Sequence, residues 1–193
     1  MMRWTRLLLI PAAAVLALGA TPSTLTYAST ATCTIVGTNG HDVLHGTAGA
    51  DVICGRGGAD DIHGAGGNDV LRGGGGDDSL YGNAGNDLLV GGAGGDFLSD
   101  GGGDDVIKGG GGRDYNFGGI GDDRWYGGAG PDSLIDMRGT DSIHGGLGND
   151  SCLATYDNHG GDTISGGPGT DIWYADPADH ASTVEKKIIC FAE

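Results

Sequence analysis

A nine-residue period organises most of this chain. Aspartate stands at every ninth position from Asp42 to Asp150, thirteen times in succession, and each of these aspartates follows a glycine by two residues. In units of nine that begin at Gly37, the fourth residue is always glycine, the first is glycine in most units, and the eighth is mostly Leu or Ile. Such a long fixed phase indicates a repeat fold in which each unit stacks on its neighbours.

The repeat is interrupted once. It runs over residues 37–153, is followed by a three-residue insertion at 154–156, and resumes in two more units over 157–174. The glycines at positions one and four predict a tight turn with positive φ. The three residues from the aspartate onward are long enough only for a very short strand, and stacking buries the apolar residue at position eight. The sequence therefore predicts an all-β solenoid.

Units such as GGAGGDFLS and GNAGNDLLV resemble the nonapeptide of the RTX, or haemolysin-type, calcium-binding repeat family. The resemblance covers residues 37–153 and resumes over 157–174. It implies a right-handed parallel β-roll, a solenoid in which two nonapeptide units form one coil.

The position-six aspartates are the predicted metal ligands. The implied coil places Asp42 over Asp60 at one edge and Asp51 over Asp69 at the other, with coils about 4.8 Å apart. Carboxylates at that spacing repel one another unless a cation lies between them, and calcium accepts about six to eight oxygens, including backbone carbonyls. Magnesium demands a smaller octahedral shell, and zinc prefers nitrogen and sulphur. The predicted calcium ligands are Asp42, Asp51, Asp60, Asp69, Asp78, Asp87, Asp96, Asp105, Asp114, Asp123, Asp132, Asp141, Asp150, Asp162 and Asp171.

Two aspects of the ligand set stay open in the sequence. Aspartate after glycine is also common in turns, so turn formation is the alternative role for these residues. Asp100 and Asp136 replace the position-one glycine, and each either adds a ligand or distorts its site. We expect the ladder of aspartates to break at the unit around Asn116 and at the insertion, so the two aspartates beyond the insertion are the weakest predicted members.

Composition indicates that folding depends on the ion. The chain has 43 glycines in 193 residues, and 26 acidic against 10 basic residues give a formal net charge of −16. Glycine loses the most backbone freedom on ordering, and a chain of this charge repels itself. One column of buried Leu and Ile does not offset both terms. We therefore predict a calcium-triggered transition from disorder to β-roll, and the acidity disfavours nucleic acid as a partner.

The N-terminal residues predict export. Residues 1–31 contain a basic start, an apolar run of fourteen residues and then small residues, the pattern of a signal peptide with cleavage after Ala28 or Ala31. The apolar run is too short for a stable membrane span. A secreted, extracellular protein meets millimolar calcium, which suits modules of modest affinity. Many RTX proteins instead carry a C-terminal export signal, so this chain departs from the toxin-like branch of the family.

Four cysteines lie outside the predicted signal peptide, and an even number in an exported chain indicates disulfides. We favour Cys33 with Cys54 and Cys152 with Cys190 among the three possible pairings, because each pair flanks one end of the repeats; free buried thiols are the alternative. Each disulfide then pins a cap on the solenoid. The predicted organisation is a signal peptide over 1–31, a β-roll with its N-terminal cap over 32–174 and a C-terminal cap over 175–193.

The repeats contain no catalytic motif that fits their geometry. His41 and His45 imitate a zinc-protease motif, but residues four apart in an extended segment are about 13 Å apart, too far for one zinc ion. No serine has the flanking glycines of a lipase nucleophile elbow. We therefore predict that the protein is not an enzyme.

The leading predicted function is a secreted calcium-binding structural or interaction module. An adhesion or surface-recognition protein is the alternative, and a secreted hydrolase is the weakest reading. For the alternative, the coil register gathers Tyr81, Phe97, Tyr115 and Phe117 on one face. Exposed aromatic clusters mark partner or dimer interfaces, unless a shifted strand around Asn116 or the C-terminal tail covers them.

Overall fold

The computed structural model describes residues 31–135, 138–154, 161–174, 180–182 and 186–187. Residues 1–30 of the predicted signal peptide, Asp136, Cys190 of the second predicted disulfide and most of the predicted C-terminal cap lie outside the described residues. All elements of regular secondary structure in the described part of the chain are β-strands. Nothing in that part is a helix long and apolar enough to span a membrane.

Eighteen strands form within the described residues. They are β1 (Ile35–Val36), β2 (Val43–His45), β3 (Val52–Gly57), β4 (Asp61–Gly66), β5 (Val70–Gly75), β6 (Ser79–Ala84), β7 (Leu88–Ala93), β8 (Phe97–Gly102), β9 (Val106–Gly111), β10 (Tyr115–Phe117), β11 (Arg124–Ala129), β12 (Ser133–Ile135), β13 (Ser142–Leu147), β14 (Ser151–Ala154), β15 (Thr163–Ser165), β16 (Ile172–Tyr174), β17 (His180–Ser182) and β18 (Lys186–Lys187).

The strands alternate between two parallel sheets. The odd-numbered strands form one nine-stranded sheet from β1 to β17, and the even-numbered strands form the other from β2 to β18. Val52 pairs with Val70, and Val70 pairs with Leu88, so each strand lies beside the strand two units later. Two nine-residue units therefore make one coil. The all-β parallel β-roll predicted from the sequence is confirmed.

The core consists of the position-eight side chains of both sheets, which together form what we call the position-eight column. Asn116 occupies this column and is 2% exposed, and neither polar atom of its amide has a hydrogen-bond partner. Its strand nevertheless keeps register, because Asn116 pairs with Leu98 on one side and Leu134 on the other. A shifted strand around Asn116, one of the two alternatives for covering the aromatic face, is therefore not observed. The apolar members of the column are Ile53, Ile62, Leu71, Leu80, Leu89, Leu98, Ile107, Trp125, Leu134, Ile143 and Ile164.

Most interior strands are longer than the very short strands expected. β3 has six residues and runs from position seven of one unit through position three of the next, because backbone pairing continues into the next unit. The turn is thereby confined to positions four to six. The position-four glycine does have positive φ, as at Gly76 (118°), where an added Cβ would meet the carbonyl of Gly58 in the previous coil. Position two is also left-handed, as at Arg56 (φ 86°), whereas the position-one glycines of these coils are not.

The insertion and the first disulfide mark the two ends of the regular coils. β14 pairs with its neighbours through a register irregularity, and the roll then continues with β15 and β16. β17 and β18 each add one strand to a sheet inside the predicted C-terminal cap. At the other end, a disulfide joins Cys33 to Cys54, with Cα atoms 5.9 Å apart. The favoured N-terminal pairing is confirmed.

Candidate metal centre

The position-six aspartates form two hydrogen-bonded ladders, one for each turn of the coil. The backbone N–H of Asp42 donates to Oδ1 of Asp60 at 2.9 Å, and the N–H of Asp60 donates to Oδ1 of Asp78 at 2.8 Å. The coil stacking predicted for these aspartates is therefore observed. The first ladder contains Asp42, Asp60, Asp78, Asp96, Asp114, Asp132, Asp150 and Asp171. The second contains Asp51, Asp69, Asp87, Asp105, Asp123, Asp141 and Asp162.

Both ladders cross the insertion. The N–H of Asp141 donates to Oδ1 of Asp162 at 2.7 Å, and the N–H of Asp150 donates to Oδ1 of Asp171 at 3.0 Å. The first ladder also continues past the buried Asn116. The expected breaks at these two places were wrong, because parallel pairing of the flanking strands restores the same stacking on both sides.

The second carboxylate oxygen of eleven position-six aspartates has no hydrogen-bond donor. Oδ1 accepts the N–H of the previous coil, whereas Oδ2 is buried and unpartnered. Buried charged groups are stable in proteins when they are paired or coordinate a metal. A row of such oxygens at one repeat spacing suits a row of bound cations. The unpartnered Oδ2 atoms belong to Asp60, Asp69, Asp78, Asp87, Asp96, Asp105, Asp114, Asp123, Asp132, Asp150 and Asp171.

Backbone carbonyls converge on the same place as these Oδ2 atoms. A Cβ added to Gly82, at position one, would lie 2.5 Å from Oδ2 of Asp87 and 2.5 Å from the carbonyl oxygen of Asp100. A Cβ added to Gly64 would lie 2.5 Å from Oδ2 of Asp69 and 2.8 Å from the carbonyl oxygen of Gly82. The position-one glycine is thus required by close approach and not by φ. Carboxylate and carbonyl oxygens together are the donor set that calcium takes.

Burial without a counter-charge raises the pKa of several aspartates in the middle of the roll. Desolvation raises the pKa of Asp87 from 3.8 to about 6, and the pKa of Asp96 and Asp132 to about 7. The pKa of Asp105 and Asp123 rises to about 8 for the same reason. Neighbouring carboxylates add to the rise, and the hydrogen bond from the previous coil opposes it. A cation beside the ladder would supply the positive charge that these groups lack.

A family model for the RTX calcium-binding nonapeptide repeat matches the chain in 4 copies, over residues 34–62, 63–98, 90–124 and 117–152. The chain belongs to this RTX repeat family. The matched residues make up more than half of the chain, and the family predicted from the sequence is confirmed. No curated protein matches the chain. Calcium is the ion that both the RTX repeats and the donor set indicate.

The first RTX coil satisfies its aspartates differently. Oδ2 of Asp42 accepts hydrogen bonds from the backbone N–H of Thr38 at 2.6 Å and from its hydroxyl at 2.9 Å. Oδ2 of Asp51 accepts the equivalent bonds from Thr47 at 2.7 and 2.8 Å. Both bonds from Thr38 hold the pKa of Asp42 below its usual value, and the backbone bond has the larger effect. The signal in the sequence is a threonine at position two, which only these two RTX units carry.

Asp100 joins the second ladder from position one. Its side chain is 1% exposed, and burial raises its pKa to about 7. Carboxylate oxygens of Asp100, Asp105 and Asp123 lie within 4.8 Å of one another. Among the described residues, this is the one group of three or more metal-binding side chains at such short range. The structure therefore brings Asp100 to the ladder, which the sequence left undecided.

An aromatic surface lies on the outer face of the even-numbered sheet and consists of Tyr81, Phe97, Tyr115 and Phe117. The side chains of Phe97, Tyr115 and Phe117 are 38%, 48% and 40% exposed. The rings of Tyr81 and Phe97 have centroids 5.8 Å apart. Tyr115 is the sheet neighbour of Phe97, so the rings follow one another from coil to coil.

Two histidines extend the aromatic surface toward the first coil. The ring of His63 stacks on Tyr81 with centroids 4.7 Å apart, and His45 stacks on His63 at 5.0 Å. The sequence identifies these histidines only as coil neighbours, because stacking depends on side-chain orientation. Nδ1 of His41 instead contacts the carbonyl oxygen of Ala59. His41 and His45 thus have separate partners.

Proposed function

We propose that this protein is a secreted module whose β-roll folds when calcium binds between its coils. The buried, unpartnered Oδ2 atoms of the interior aspartates carry the proposal. The proposed ligands are the position-six aspartates from Asp60 to Asp171, with carbonyl oxygens at position one of the next coil. In the first coil, Thr38 and Thr47 take the place of the ion at Asp42 and Asp51. Bound calcium supplies the positive charge that the buried carboxylates lack.

The two oxygens of each interior aspartate have different tasks in this proposal. Oδ1 holds the N–H of the previous coil, as Asp114 does for Asp96 at 2.9 Å. Oδ2 faces the position-one glycine of its own unit and a carbonyl of the following coil. Each aspartate therefore joins three consecutive levels of the roll. Loss of one rung weakens its neighbours, so we expect folding to be cooperative along the ladder.

Export is part of the proposed function. The signal-peptide pattern over 1–31 and the Cys33–Cys54 disulfide both suit an oxidising extracellular compartment. Calcium at millimolar concentration is present there, so modest affinity is sufficient for folding. The proposed role is structural or binding, without catalysis.

The proposal is tested by far-ultraviolet circular dichroism during titration of the metal-free protein with calcium. We expect a cooperative gain of β signal with calcium, and no equivalent gain with magnesium at the same ionic strength. A chain that is already fully folded in chelator at neutral pH would show that the aspartates are turn formers. Deletion of residues 1–31 tests export separately, because the protein should then remain inside the producing cell.

Self-association through the aromatic surface is a second candidate function. The surface is exposed, and the outward positions of β2, β4, β6, β8, β10 and β12 contain no lysine or arginine. A second copy fits such a face, since its aromatic rings would be buried without desolvating a cation. The acidic turns of a protein with a net charge of −16 disfavour association elsewhere.

Sedimentation of the calcium-loaded protein tests this candidate. Phe97→Ser with Phe117→Ser should abolish self-association and leave calcium-induced folding intact. Tyr126→Ser is the matched control, because Tyr126 is 39% exposed on the opposite sheet. Unchanged association of the double variant, or a monomeric native protein, would exclude the aromatic surface as a dimer interface.

A further inference from the structure

The unit that begins with Asp100 departs from the repeat at position one. Position one is glycine in the surrounding units because a Cβ there meets a carboxylate and a carbonyl, yet Asp100 carries a full side chain at this position. That side chain is buried, and its Oδ1 accepts the N–H of Gly101 at 2.5 Å. Its Oδ2 has no hydrogen-bond partner. A buried carboxyl group thus occupies a position where the fold favours no side chain.

Asp100 lies beside two members of the second ladder. Asp105 belongs to the same unit, and Asp123 is the rung one coil later. Oδ1 of Asp105 accepts the N–H of Asp87 at 2.6 Å, and Oδ1 of Asp123 accepts the N–H of Asp105 at 2.7 Å. Oδ2 of each has no donor. Each carboxylate in the group therefore presents one oxygen that the protein leaves unsatisfied.

The number of carboxylates separates this place from the rest of the ladder. At the other inter-coil positions that the described residues form, two successive aspartates and backbone carbonyls face the gap. Here three carboxylates have oxygens within 4.8 Å of one another. The affinity of an oxygen site for calcium rises with its ligand charge and rigidity. The third carboxylate adds ligand charge, and the hydrogen-bonded strand that carries it makes the site rigid.

We propose that Asp100, Asp105 and Asp123 form a distinct three-carboxylate calcium site of higher affinity than the other inter-coil positions. This inference rests on the proposed calcium-dependent folding and adds the order in which the calcium sites fill. The site lies in the middle of the roll and fills first as calcium rises. Coils on either side then form next to an ordered neighbour, which lowers the barrier to their own folding.

The test uses calcium calorimetry and terbium luminescence on Asp100→Gly and Asp100→Asn. Glycine is the residue that the neighbouring units carry at this position, and asparagine keeps an oxygen for the N–H of Gly101. Trp125 is buried two residues after Asp123 and serves as the sensitiser for a terbium ion bound at the site. Both variants should lose the tightest class of calcium sites, with affinity there at least about tenfold weaker. The sensitised luminescence at low terbium should fall in parallel.

Asp104→Asn is the matched control. Asp104 is the exposed neighbour of Asp105, and its Oδ1 accepts the N–H of Asp122 at 3.2 Å, which asparagine preserves. The substitution removes the same charge without removing a proposed ligand, so the tight class should persist. Loss of the tight class in Asp104→Asn to the same extent would overturn the proposal, because general charge would then explain it. Wild-type binding in both Asp100 variants would also overturn it, while leaving calcium-dependent folding intact. A native protein that binds no calcium would overturn both.

Discussion

The first coil and the interior coils place the same aspartate in two different environments. Oδ2 of Asp51 accepts two hydrogen bonds from Thr47, whereas Oδ2 of Asp87 is buried without a donor. The pKa of Asp42, in the first coil, lies below its usual value, and the pKa of Asp87 is raised to about 6. A threonine at position two therefore donates hydrogen bonds to a carboxylate oxygen that would otherwise need a cation.

This difference fits the position of the first coil at the end of a solenoid. An end coil has a neighbour on one side only, and solenoids need an end that is stable by itself. The Cys33–Cys54 disulfide ties the segment before β1 to β3 at the same end. The first coil thus combines local hydrogen bonds with a covalent link, and the interior coils depend on what lies between them.

The largest expected effect on this contrast is that of pH on the calcium-free protein. The folded interior carboxylates have a raised pKa, up to about 8 at Asp105 and Asp123, so folding without calcium takes up protons. The free-energy cost of burying these carboxylates in the charged form is full above the folded pKa, and it disappears as the pH falls toward the ordinary value of 3.8. The metal-free chain should be unfolded at about pH 8 and gain β structure by about pH 4. Circular dichroism across this range checks it, and a calcium-free chain that loses structure toward acid would contradict it.

Neutralising an interior rung should destabilise the calcium-loaded protein more than neutralising a first-coil rung. Asp114→Asn keeps an oxygen for the N–H of Asp96 but removes the buried charge, so the free energy of unfolding should fall by about 3 to 5 kcal/mol. Asp51→Asn removes a carboxylate that Thr47 already satisfies, and the expected loss is about 1 kcal/mol. Urea unfolding in saturating calcium measures both. Equal losses would show that the threonine bonds do not replace an ion.

Removing the disulfide should weaken the first coil alone. Cys33→Ser with Cys54→Ser opens a link across 21 residues, and the free energy of unfolding should fall by about 3 kcal/mol. The calcium midpoint for the interior coils should stay unchanged, because neither cysteine touches the interior ladder. Amide hydrogen exchange distinguishes the two regions. Uniform loss of protection along the whole roll would mean that the ends are not independent.

The smallest expected effect is that of the threonine hydroxyl. Thr38→Val removes the hydroxyl bond to Asp42 and keeps the backbone bond, so the pKa of Asp42 should rise partway toward its usual value. Carboxyl titration by nuclear magnetic resonance measures this shift. Thr47→Val is the control, since Thr47 bonds Asp51 on the other ladder. A rise of the Asp42 pKa in the control would assign the effect to the coil as a whole.

Much of the fold could be predicted from the sequence, since the repeat is local and its period equals half a coil. The buried position-eight column follows from that period. The stacking of Asp42 on Asp60 follows from the coil that the RTX resemblance implies, and the Cys33–Cys54 pairing from the place of both cysteines beside the first coil. The expected break at Asn116 failed for an equally physical reason. Backbone hydrogen bonds along a parallel sheet do not depend on the side chain they carry, so one polar residue in the core leaves the register unchanged.

The sequence by itself determined the repeat, the family and the identity of the residues at each turn, because the nine-residue motif is unbroken over thirteen units and resembles the RTX nonapeptide. The tertiary structure alone decided which carboxylate oxygen remains unsatisfied, that Thr38 and Thr47 complete the first coil, and that Asp100 meets two rungs of the second ladder. These properties depend on distances of a few ångströms between neighbouring coils. Such distances are set by packing and hydrogen bonding in three dimensions, and a one-dimensional pattern does not contain them.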